Sequence, residues 1–129
     1  MVHLDADLAV TLVEDRPGTL AAALRCVGDA GINLDGYAEI GGVVHVLSPD
    51  LQAAHDCLQK GGFRIVQEQQ VLLVTVADEP GAAAGVFQRL ATAHINIKYS
   101  YLATGNRLVI AANDTQAAFD LLTRRPGSA

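Results

Sequence analysis

The chain has 129 residues and a mass of 13.5 kDa; half of its residues are apolar, its mean hydropathy is +0.26 and its formal net charge is −5. That length suits one ordinary domain or two small ones sharing a core, and the composition excludes an intrinsically disordered chain. No apolar run reaches the roughly 18 residues of a membrane span, and the nine basic residues are scattered with only Arg124 and Arg125 adjacent, which speaks against both membrane and nucleic-acid partners.

Residues 1–7 carry two acids and no basic-then-apolar stretch. They read as neither a signal nor a transit peptide, and the expected location is the cytoplasm. Leu8 to Val13 is a short aliphatic and β-branched run, read as a strand, and Asp15-Arg16-Pro17-Gly18 breaks it. Leu20, Leu24 and Val27 then recur at helical spacing, with Pro17 suited to the first turn and Gly31 to the left-handed position past the last. Two strands follow, Ile32 to Ile40 and Val43 to Leu47, separated by the hairpin signal Gly41-Gly42. Ser48-Pro49-Asp50 opens a second helix with Leu51, Ala54 and Leu58 on one side, Gly61-Gly62 stops it, and Phe63 to Gln69 supplies a fourth strand.

From Val71 the order begins again. Asp15-Arg16-Pro17-Gly18 aligns with Asp78-Glu79-Pro80-Gly81, and the same offset, 78 − 15 = 63, brings Gly31-Ile32-Asn33-Leu34 onto His94-Ile95-Asn96-Ile97. Further on, Asp50 to Leu58 aligns with Asp114 to Leu122 at 114 − 50 = 64, so one residue is inserted between the two motifs. Thr104-Gly105-Asn106, opposite Gly41-Gly42, is the loop where it belongs. Val71 to Val76 is the first strand of this copy, and Ala83, Phe87 and Leu90 mark its first helix.

A period of this length means one supersecondary unit used twice. The unit reads β-α-β-β-α-β, so the expected class is α+β: two ferredoxin-like repeats, residues 1–70 and 71–129, each an antiparallel sheet with both helices on one face. After Leu122 the residues Thr123-Arg124-Arg125-Pro126-Gly127-Ser128-Ala129 argue against a strand, so the second copy lacks its last one. Its open edge calls for a cover: residues Val2 to Leu4, the Phe63 to Gln69 strand, or another subunit. The run Val71 to Val76 is apolar on both faces, which points to sheet packing within the chain or across a homodimer, through faces or edges.

The run strand, Asp-Arg-Pro-Gly-Thr-Leu, helix, Gly-Ile-Asn-Leu over residues 10–34, repeated with Asp-Glu-Pro-Gly and Ile-Asn-Ile over residues 73–97, resembles the ACT domain. It is most similar to small stand-alone proteins with two ACT domains, whose second copy carries a strand like Asn96-Ile97-Lys98-Tyr99-Ser100-Tyr101. The resemblance covers about residues 7 to 122 and departs from the family at His94, where Gly is usual, and at Glu79, where Arg is usual. It implies a non-catalytic regulatory protein that binds a free amino acid between the strand-to-helix loop of one repeat and the second strand of its partner, and it leaves room for a regulated protein partner.

The residues themselves support a zwitterion site. Backbone amides at Gly18-Thr19 and Gly81-Ala82 open helices and attract carboxylates. Asp15 and Asp78 suit an α-ammonium, with Arg16 beside the first. The amides of Asn33 and Asn96 both donate and accept, and Leu34 and Ile97, with Tyr37 and Tyr99, are candidates to line the ligand's side chain. Each also has a purely structural reading: the acids as helix caps, Pro and Gly as turn formers, the Asn residues as partners for backbone groups in a tight connection, and Tyr99 with Tyr101 as packing residues on one strand face.

Cys26 and Cys57 fall in two predicted helices without a metal or redox spacing and read as free thiols, a disulfide being the lesser alternative. His3, His45, His55 and His94 lie in different elements, and neither a metal nor another cofactor is expected. No nucleophile, base and acid converge and no phosphate loop is present, so an enzyme of acylphosphatase type ranks below a protein–protein interaction module as the alternative.

Overall fold

The computed structural model describes residues 1–12 and 17–124. Its elements are β1 (Val2–Thr11), α1 (Thr19–Asp29), β2 (Gly36–Ile40), β3 (Val43–Leu47), α2 (Leu51–Lys60), β4 (Arg64–Thr75), α3 (Ala82–Thr92), β5 (Ile97–Ala103), β6 (Arg107–Ala112) and α4 (Thr115–Thr123). The chain forms two compact units, one of Ala6–Gln69 and the other of Gln70 onward together with Met1–Asp5. The class is α+β, built from antiparallel ferredoxin-like sheets.

In the first unit the strand order is β2-β3-β1-β4, with β4 contributing its residues up to Gln69. Period-2 alternation points Leu8, Val10, Val44 and Val46 to one face, where they bury against Ala23 and Val27 of α1 and Ala54 and Leu58 of α2. The predicted stripe Leu51, Ala54 and Leu58 on α2 packs there, whereas α1 presents Leu20, Ala23 and Val27.

In the second unit the order is β1-β4-β6-β5, and β1 enters it with the first residues of the chain alone. Leu72, Val74, Leu108, Ile110 and Ala112 line the helical face, covered by Leu90 of α3 and Ala118 and Leu122 of α4, with Val86 and Phe87 packed alongside. Of the three candidates for the open edge, the amino-terminal residues take the place. The Thr75 N–H donates to Met1 O at 3.0 Å, and Val2 packs against the second core. On the other face of β4, Val71 and Leu73 are 0% and 5% exposed.

Several boundaries differ from the sequence reading. The first strand begins at Val2 and not at Leu8. The predicted strands Phe63 to Gln69 and Val71 to Val76 are one strand, β4, because nothing between them breaks extended backbone. The second strand starts at Gly36 and not at Ile32, since residues 32–35 are spent leaving α1. Pro17 and Pro80 lie one residue before the helix caps and not in the first turn, because Gly18 and Gly81, at φ +94° and +85°, are themselves the caps.

The one-residue insertion sits where the offsets place it. Ile40 pairs with Val43 around the two residues Gly41-Gly42, both at positive φ, whereas Ala103 pairs with Arg107 around the three residues Thr104-Gly105-Asn106. Three helices end in the same way. Gly31 (φ +73°), Gly62 (φ +86°) and His94 (φ +58°) occupy the left-handed position past α1, α2 and α3. In each, the next residue's N–H reaches back five positions: Ile32 to Val27 O, Phe63 to Leu58 O and Ile95 to Leu90 O, at 3.2, 2.9 and 3.0 Å.

Candidate functional site

The four helices begin in two chemically different ways. α2 and α4 are capped by Asp50 and Asp114, whose carboxylates accept from the N–H groups of Ala53 and Ala117 at 3.3 and 2.9 Å. α1 and α3 begin at Gly18 and Gly81, left-handed residues that bring no side-chain acceptor to the first turn. The positive end of the helix dipole thus meets an aspartate cap at α2 and α4, whereas the cap residues of α1 and α3 are glycines. Among the described residues, no atom lies within 4 Å of a Cβ added at Gly18 or Gly81. An open cleft at the start of α1 is lined by Pro17, Gly18, Thr19 and Ala22.

Asp15 and Arg16 fall outside the described residues. Asp78 and Gly81 are exposed and Thr19 and Ala82 half-buried, all at helix starts. Asn33 and Asn96 are exposed and lie past the other ends of α1 and α3. The Asn33 side-chain amide donates to Asp35 Oδ1 at 3.2 Å, whereas the Asn33 backbone carbonyl accepts from Ser48 Oγ at 2.7 Å; the Asn96 backbone carbonyl accepts from the Asn113 N–H at 3.1 Å. Leu34 and Ile97 pack against the first and second cores.

Within one unit the helix start and the asparagine are not brought together. α1 and α3 each have 11 residues, and at 1.5 Å per residue such a helix separates its ends by roughly 16 Å, more than one amino acid spans.

In β5 a register irregularity between Ile97 and Tyr99 turns the strand over, so Ile97 faces the helices while Tyr99 and Tyr101 lie opposite Ala111 and Val109. The two tyrosine rings stack at 6.2 Å with planes 5° apart, on one strand face as their spacing requires. Tyr37 on β2 is 52% exposed.

Sequence reasoning missed one polar pair. Asp7 on β1 and His45 on β3 point away from the helices of the first unit and are 0% and 9% exposed, with His45 Nδ1 3.7 Å from Asp7 Oδ2. Burial holds the imidazole below its ordinary pKa, against the pull of the Asp7 charge. The signal was available in the repeat: the counterparts of Asp7 and His45 are Gln70 and Val109, and His45 interrupts the aliphatic run Val43-Val44-His45-Val46-Leu47.

No protein-family model and no curated protein matches the sequence. Solved structures do match. Protein BT0572 from Bacteroides thetaiotaomicron superposes with a TM-score of 0.80 at 23% identity, over 94% of this chain and 88% of that one. The ligand-free regulatory subunit of aspartate kinase from Thermus thermophilus gives 0.63 at 20% identity, over 94% and 92%. E. coli aspartokinase III, solved in complex with aspartate and ADP, gives 0.63 at 17% identity over 94% of this chain and 31% of that larger one. The fold is thus the one expected of tandem ACT repeats. Among the described residues no helix is long and apolar enough to cross a membrane.

Proposed function

We propose that the protein is a non-catalytic regulatory module that binds a free amino acid at the turn leading into α1, at its repeat before α3, or at both. The observation that carries this reading is the division among the helix starts: aspartates cap α2 and α4, glycines cap α1 and α3, and the glycine-capped pair lies at the repeated Asp-x-Pro-Gly motif. A ligand carboxylate there takes the place that the Asp50 and Asp114 side chains take at the other two helices.

Asp15 and Asp78 hold the α-ammonium, with Arg16, Gly18 and Thr19 completing the first turn and Gly81 and Ala82 the second. Because the turn and the asparagine of one unit are a helix length apart, a ligand that also uses Asn33 or Asn96 takes the turn from one ACT unit and the asparagine, with Leu34 or Ile97, from another. Likeness in fold to regulatory subunits of aspartate kinase supports a role of this class.

Thermal unfolding against each of the twenty amino acids tests it. A native-state ligand at ~100 times its dissociation constant adds about 2.7 kcal/mol of apparent stability, so one chemical group of amino acids raises the midpoint by several degrees. Asn33→Ala or Asn96→Ala reduces that rise without lowering the ligand-free midpoint. No rise with any amino acid removes the reading.

A further inference from the structure

We propose that Cys26 and Cys57 are a reversible disulfide site joining α1 to α2 within the first unit, oxidised by exchange with a low-molecular-weight disulfide. The two residues are 31 positions apart on different helices, yet their sulfurs lie 3.1 Å from each other. The contact is reciprocal: the Cys26 thiol donates to Cys57 O at 3.4 Å, and the Cys57 thiol donates to Cys26 O at 3.1 Å. Both thiols are free and half-buried, which leaves a path for a small reagent.

The surroundings fit the pair closely. A Cβ at Gly61, the cap of α2, would stand 3.1 Å from Cys26 Sγ and 3.3 Å from Cys57 O. The internal repeat shows that this crossing point between helices need not contain thiols. Offsets of 63 and 64 place Arg89 and Leu121 at the corresponding positions, and there the Arg89 guanidinium donates to Leu121 O at 3.0 Å. A helix-to-helix tie exists in both units, and in the first it is built from two groups that oxidation can join.

The order of attack follows from the local chemistry. The hydrogen bond to Cys57, then burial, then the charges of Cys57 and Asp29 push the Cys26 thiol up to about 11. Cys26 is thus the poorer first nucleophile, and the sulfur of Cys57, giving up its proton, attacks the small disulfide, forming a mixed disulfide and releasing one small thiolate, which takes up a proton. Once Cys57 is capped its charge and its thiol hydrogen bond are gone. Cys26 then ionises more readily and attacks the Cys57 sulfur. The Cys26–Cys57 bond forms, the second small thiolate leaves and is protonated, and one small disulfide has been reduced to two thiols while two protein thiols have become one disulfide.

The test is equilibration of the full chain in mixed reduced and oxidised glutathione, read by intact mass and by peptide mapping without reductant. The expected result is loss of two hydrogens with residues 26 and 57 cross-linked, reversed by dithiothreitol. The cross-linked fraction should rise from a tenth to nine tenths over about a hundredfold change in the ratio of oxidised glutathione to the square of the reduced form. Cys26→Ser should stop at a glutathione adduct on Cys57. Glutathione adducts without a cross-link in the unmodified protein, cross-links only between chains, or no reaction at any ratio would each overturn the proposal.

Discussion

Exchanging the residues at the left-handed positions past α1 and α3 isolates one backbone cost. His94 has φ +58° where its counterpart Gly31 has φ +73°, and both continue into the same back-reaching hydrogen bond. A residue with a Cβ in this region carries about 1–2 kcal/mol of strain, whereas glycine avoids it but loses ~0.5–1 kcal/mol more in backbone entropy on folding. His94→Gly should therefore stabilise by about 0.5–1 kcal/mol, and Gly31→His should destabilise by about the same amount. Among the described residues no atom lies within 4 Å of a Cβ built at Gly31, so the second change measures conformation and not a clash. Urea titrations followed by circular dichroism give both values at unchanged slope, and a change of about 1 kcal/mol corresponds to a melting shift of a few degrees. A loss of stability in His94→Gly would refute the reasoning, because the imidazole would then be making a contact worth more than the strain.

Three further outcomes follow from the described contacts. Asp50→Ala and Asp114→Ala each remove a cap acceptor and should cost about 1 kcal/mol in the same titration; equal loss on placing alanine at Gln52 or Gln116 would deny the caps their role. Leu90→Ala opens a cavity at a residue 0% exposed and should cost about 3 kcal/mol, with less than 1 kcal/mol indicating that the second core is not packed as described. Because burial lowers the His45 pKa, the unfolded chain takes up a proton that the folded chain resists. Stability should thus fall as the pH drops below about 6.5, and His45→Gln should flatten that part of the profile; an unchanged slope would assign the loss to other groups.

The repeat made most of the fold legible. Two motifs sharing one offset, and a third displaced by one residue, placed the insertion in the hairpin that the strand registers show to be longer by one. Local chemistry also marked the ends of helices, as at Asp50 and Gly31, since caps act on near neighbours in sequence. What stayed hidden depends on distant strands and helices. Residues 64–75 form one strand because no breaker marks where it passes from the first unit to the second. The Asp7–His45 pair and the Cys26–Cys57 contact join residues more than thirty positions apart, where no local spacing carries a signal. Of the candidate site, the glycine turns were readable. The separation of turn from asparagine needed only the helix length, and could have been drawn from the sequence.

The donation of Met1–Asp5 to the second unit has a consequence for synthesis on the ribosome. These residues emerge well before the N–H that meets Met1 O, which belongs to Thr75, 75 − 1 = 74 positions later. The adjoining part of the same strand, from Ala6, finds β3 far earlier. The nascent chain therefore carries an unpaired stub while the first unit closes, and the second sheet reaches its full width only through a contact of long sequence separation, the kind that slows folding. An exposed strand end held in waiting is also a docking edge for other chains. Its residues His3 and Asp5 interleave polar groups with Val2 and Leu4, a pattern that keeps the waiting segment soluble until its partner strand arrives.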